Sequence, residues 1–177
     1  RIYKSGFTWS EVGFNVRGGR TIELKKNYRN TVQIVKAALS LLEKENDKSD
    51  FTTVETARSG NEKPIVGYFE NKKEQSLYLL KSLNQLKTNN NISSTVVLHR
   101  SRSGLNAIQS FLGENGYDTQ ILLDSGEIDF ERESIKICTL SSVKGLEFDN
   151  VFIIDLNDDI LPYPPGFNGE DDALHIS

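Results

Sequence analysis

One cysteine and two histidines among 177 residues leave little material for thiol or metal chemistry. A lone thiol, Cys138, excludes an internal disulfide and a cysteine-based zinc cluster, and His99 and His175 offer no ligand spacing. No apolar run approaches the roughly 18 residues that a membrane span needs. The opening RIYKSGFTWSEVG lacks the apolar stretch of a secretory signal. A basic excess is lacking as well. With 21 Lys and Arg against 25 Asp and Glu, the net charge is -4, so bulk charge would not drive the chain onto nucleic acid. Any such contact would have to run through a few local groups. Taken together, these absences suggest a reducing, cytoplasmic compartment and no membrane partner.

What is present reads as one globular domain. Apolar residues make up 37% and charged residues 26%, the balance of a chain that can bury a core. Residues 1–20 read as loop, broken by Gly13, Gly18 and Gly19. TIEL is a short strand followed by polar KKNYRN. Asn30 and Gln33 then have the spacing of a capping box, ahead of a helix with Val32, Val35, Ala38, Leu39 and Leu42 on one face. Residues 52–64 are polar and weakly patterned, and Pro64 opens a strand IVGYF. A second helix is predicted over 73–88, a strand at TVVLH, and a third helix capped by Ser103 and stopped near Gly116. DTQIL, SIKICTL and VFIIDL are further strands, the last apolar on both faces as a buried parallel strand would be. Strands that alternate with helices of this length predict an α/β domain on a mostly parallel sheet.

In such sheets chemistry gathers beyond the carboxyl ends of strands, and two segments stand there. KKNYRNT sets an aromatic ring beside a guanidinium. Tyr28 can stack on a base, Arg29 can pair with a phosphate, and a following helix N-terminus favours anions. Equally, Arg29 can decorate a surface turn. TLSSVKGLEFDN sets Lys144, Gly145 and Glu147 between two apolar strands. Gly145 suits a tight backbone position and Glu147 can accept hydrogen bonds from a sugar. The plain alternative is a solvated loop anchored by Leu146 and Phe148. Neither segment decides the matter by itself.

In order along the chain they resemble a known set. LKKNYRNTVQIVKAAL resembles motif IV of the UvrD/Rep-type superfamily 1 DNA helicases, with a core L-x-x-N-Y-R-[ST]. TLSSVKGLEFDNVFI resembles their motif V, T-x-H-x-x-K-G-L-E-F, the more specific of the two. VVLHRSRSGLNAIQSFLGENGYDTQIL is similar to the stretch between them, and RIYKS to the tail of motif III. The resemblance implies a RecA-like domain over 1–177, the second of two in an ATP-driven translocase on single-stranded DNA. ATP would lie against the N-terminal RecA-like domain, which would also supply Mg²⁺ binding. Tyr28 would stack on adenine, Arg29 would meet the γ-phosphate as the catalytic arginine, and Gly145 and Glu147 would lie at the nucleotide. Tyr3, Arg100, Thr139, Ser141 and Lys144 would follow the DNA path.

The sequence also departs from that pattern. Ser141 replaces a usual histidine, Ser5 a second aromatic, and Arg102 a usual asparagine, which fits a divergent, helicase IV-like branch. Gly13 and Gly18 have the glycine spacing of a phosphate loop, but Gly19 and Arg20 follow where Lys and Ser/Thr are required. Motif VI is likewise not found. The chain alone is therefore expected to hydrolyse no ATP. Two other roles fit the same fold: a motor subunit of a RecB/AddA-type nuclease or an RNA-polymerase-associated translocase, or a catalytically silent interaction module. Cys138 reads as a core thiol, and Asp158 and Asp159 as an acidic loop, so no metal is assigned to the chain.

Overall fold

In a computed structural model, residues 26–42, 55–58, 60, 62–122, 129 and 131–157 are described. They fall into two compact units, divided between Val66 and Gly67. RIYKS, TIEL, Trp9 and the Asp158–Asp159 pair lie outside the described residues.

The first unit holds β1 (Lys26–Thr31), α1 (Val32–Leu42) and β2 (Glu55–Arg58). β1 and β2 run parallel, with Lys26 opposite Glu55 and Thr31 opposite Arg58. That pairing makes the polar KNYRNT a strand and shifts the helix start. Asn30 lies in the strand, and the capping role passes to Thr31, whose Oγ1 accepts the Ile34 N–H at 3.4 Å. Gln33 makes no capping box; its Nε2 donates to the Gly60 carbonyl. Along α1, Val32, Val35 and Leu39 are half-buried, as the helical spacing predicts, whereas Ala38 is exposed.

The second unit is built on a four-stranded parallel sheet in the order β4-β5-β3-β6. Its strands are β3 (Thr95–His99), β4 (Thr119–Ile121), β5 (Ile135–Thr139) and β6 (Asn150–Ile153). α2 (Lys72–Thr88) leads into β3, and α3 (Arg102–Glu114) makes the crossover from β3 to β4. Asn71 caps α2 by accepting the Glu74 N–H at 3.0 Å, and the Glu74 carboxylate returns to the Glu70 N–H at 3.3 Å. The α3 cap is Ser101 rather than Ser103: its Oγ accepts the Gly104 N–H at 3.4 Å. Leu79 and Leu83 of α2 join Leu105, Ile108 and Leu112 of α3 over Val97, Ile135 and Ile137. On the opposite face Val96, Leu98 and Cys138 are covered by Leu140, Val143, Leu146 and Phe148.

Two strand expectations are corrected. IVGYF forms no strand, and Ile65, Val66 and Tyr68 are 75% or more exposed; apolar, β-branched content is not enough where, among the described residues, no strand pairs with it. β6 is the edge of the described sheet, not an interior strand, so Val151 and Ile153 remain half-exposed while Phe152 and Ile154 pack inward. β3 and β5, by contrast, are buried at every residue. That includes Lys136, whose ammonium donates to the carbonyls of Asp129 and Arg132 and to Ser134 Oγ at 2.8–3.1 Å. Burial lowers its pKa, and the three acceptors replace the water it has lost.

Candidate functional site

The C-terminal ends of β5, β3 and β6 lie side by side because these strands are parallel neighbours. His99 pairs with Thr139 in register, and the chain leaving each strand is tied to the other by the Leu140 N–H donating to the His99 carbonyl at 3.1 Å. Arg100 therefore begins its turn beside the start of TLSSVKGLEFDN.

That segment folds into a tight turn, organised from within. Thr139 is 5% exposed, and its Oγ1 lies 2.9 Å from the hydroxyls of both Ser141 and Ser142 and accepts the Ser142 N–H at 3.1 Å. Backbone bonds from Val143 to Thr139 and from Leu146 to Val143 continue the turn. Gly145 has φ +90, a conformation that side chains disfavour, and open space lies where its Cβ would be. Lys144, Gly145 and Glu147 are exposed, while Leu146 and Phe148 pack against the sheet. Solvated polar groups and apolar anchors thus alternate, which holds three functional candidates on a fixed backbone. The segment closes where the Asp149 and Asn150 N–H groups donate to Ser94, at 2.9–3.1 Å to its carbonyl.

Tyr28 and Arg29 fall within β1, at the end that leads into α1. The Arg29 side chain is exposed, and its carbonyl accepts from Arg58 Nη1 at 3.4 Å. These two candidates belong to the first unit, whereas Arg100, Thr139, Ser141, Lys144, Gly145 and Glu147 belong to the second. Tyr3 lies outside the described residues.

Sequence reasoning missed a buried polar cluster at the same edge. Asp155, two residues beyond β6, sets one carboxylate oxygen 3.3 Å from His99 Nε2 and 3.2 Å from Lys72 Nζ. Its other oxygen accepts from Gln75 Nε2 at 2.7 Å, and its N–H donates to Gln75 Oε1 at 3.1 Å. Burial alone would raise this carboxyl. The hydrogen bonds from Gln75 and Lys72, with the Lys72 and His99 charges, outweigh burial and hold it below its ordinary value. The available signal was modest: two strongly apolar strands, TVVLH and VFIID, each run into an ionisable residue at the carboxyl end. Among the described residues, no group of three His, Cys, Asp or Glu side chains is placed to hold a metal ion, and no helix is long and apolar enough to cross a membrane.

A parallel sheet with helices packed on one face and a Gly-bearing turn at its carboxyl edge fits an α/β domain of RecA-like type. The family model of the UvrD-like helicase C-terminal domain matches it over residues 22–130 and 119–171, which together take in most of the chain. The chain belongs to that family. No curated protein and no solved structure matches it.

Proposed function

We propose that this domain is one half of an ATP-driven translocase on single-stranded DNA, working with an N-terminal RecA-like domain that carries the phosphate loop and binds Mg²⁺. The observation that carries the reading is the TLSSVKGLEFDN turn, held at the carboxyl edge of the sheet beside Arg100 in a chain of a helicase family. Tyr28 stacks on the adenine and Arg29 meets the γ-phosphate. Glu147 accepts from the ribose, and Gly145 lets the backbone come close. Lys144, Ser141 and Arg100 contact the DNA backbone, with Tyr3 stacking on a base. Thr139 acts from beneath, since its hydroxyl shapes the turn that presents Ser141 and Lys144.

Such an arginine stabilises charge that develops during phosphoryl transfer, and trans-acting arginines contribute roughly 10³–10⁵ in rate. The test is steady-state ATP hydrolysis by the whole protein, both RecA-like domains included, with excess single-stranded DNA. Arg29→Ala should abolish most turnover and leave nucleotide binding in place. Tyr28→Ala should raise KM with a smaller effect on kcat. The domain alone should hydrolyse nothing. Near-normal turnover in Arg29→Ala would reject the role assigned to Arg29, whereas an unsubstituted whole protein that hydrolyses no ATP would favour a silent interaction module.

A further inference from the structure

The structure assigns His99 a task that rests on the DNA-binding reading of Arg100: it is a positioning residue for the turn that carries Arg100, and Asp155 holds it to that task. The imidazole is 2% exposed, so it meets neither solvent nor DNA directly. Instead its Nδ1 faces three atoms of one residue, Ser101: the N–H at 3.0 Å, the carbonyl oxygen at 3.0 Å and Oγ at 3.2 Å. Arg100 stands between the ring's own backbone and the residue the ring grips. With His99 fixed at the end of β3 and Ser101 fixed as the α3 cap, little backbone freedom is left to Arg100.

The ring is itself fixed from behind. Nε2 meets Asp155, and Asp155 is locked by reciprocal bonds with Gln75 and by the Lys72 ammonium, both from α2. Asp155 adopts φ +56, uncommon for any residue but glycine, and among the others best tolerated by Asn and Asp. A second accommodation lies at Gly104, where an added Cβ would stand 2.2 Å from two ring atoms, so the first turn of α3 closes over His99 only with glycine there. A histidine that merely filled the core would need its two nitrogens satisfied. It would not need both flanks shaped around it next to a candidate DNA-binding cation.

The test is a double-mutant cycle in the whole protein, read as the affinity for a fluorescent oligothymidylate by anisotropy across a salt series. Arg100→Ala should weaken binding roughly tenfold, as expected for loss of a charge-assisted hydrogen bond, and flatten the salt slope by about 0.7 for one phosphate. His99→Gln, and separately Asp155→Asn, should weaken binding severalfold with a similarly flatter slope. The decisive result is that neither does so in an Arg100→Ala background, and that KM for ATP without DNA stays the same. Equal losses in both backgrounds would overturn the positioning role while leaving Arg100 as a DNA contact. An Arg100→Ala protein that binds like the parent would instead reject the DNA assignment of Arg100, and the positioning role with it. Should His99→Gln fail to fold, Asp155→Asn carries the same cycle, since it keeps the shape of the side chain and removes only its charge.

Discussion

The two faces of the four-stranded sheet are closed by different means. One lies under α2 and α3, whose Leu79, Leu83, Leu105, Ile108 and Leu112 are 6% exposed or less. The other is covered by a helix-free turn whose Leu140, Val143, Leu146 and Phe148 are only partly buried. Helices bury whole side chains, so the first face should hold most of the stability. A turn anchored at a few points can shift at small cost, which suits a segment that must meet a ligand. The candidate site therefore sits on the weaker lid of the same sheet.

The largest effect expected from breaking this contrast is on the helical face. Leu83→Ala, at a fully buried position, should cost about 2–5 kcal/mol. Urea unfolding should show this as a lower midpoint with an unchanged slope. Phe148→Ala, on the turn-covered face, should cost only about 1 kcal/mol, because only part of its ring leaves water. It should nevertheless impair DNA-stimulated turnover of the whole protein more than Leu83→Ala does in its folded fraction. If both variants lose stability and activity in proportion, the two faces do not differ in kind.

Gly104→Ala lies between these in size. Its methyl group would collide with the buried His99 ring, and overpacking of this sort costs about 1–3 kcal/mol. Thermal unfolding measures the loss. A neutral or stabilising outcome would mean that α3 can lift off His99 freely, and the helical face would then be less firmly closed than described.

How far the sequence could show this depends on where each constraint lives. β3 and β5 are legible because β-branched runs with flanking turn residues leave few alternatives. The TLSSVKGLEFDN turn is legible because its residues are contiguous. β6 reads as an interior strand since NVFI carries no mark of what lies beside it; whether Val151 and Ile153 are covered is decided by a neighbour, not by their own chemistry. The reverse holds for β2, where ETAR is too polar to read as a strand and pairing with β1 makes it one. Ser101 and Ser103 are equivalent as caps until the His99 ring selects the first. The His99–Asp155 contact joins residues far apart in sequence through parallel pairing of β3 with β6, and no local pattern encodes such a contact.

The smallest effect is a rate, and it sharpens the comparison most. Cys138 is wholly buried beneath the turn, and burial pushes its pKa up to about 11. At pH 8 the thiolate fraction should therefore fall about two orders of magnitude below that of a free cysteine, and labelling by a thiol reagent must wait for the chain to open. Two openings can expose it. Global unfolding would lift both faces, and Leu83→Ala would then speed labelling by the full factor set by its loss of stability. Local release of residues 140–148 would expose the thiol while α2 and α3 stay docked. In that case Leu83→Ala should change the rate little, whereas Phe148→Ala should raise it severalfold. The second pattern is expected, because the turn has fewer fully buried anchors than the helices do. A labelling rate that follows Leu83→Ala instead would show that the turn and the helices open as one unit, and that this lid has no independent motion to lend to ligand binding.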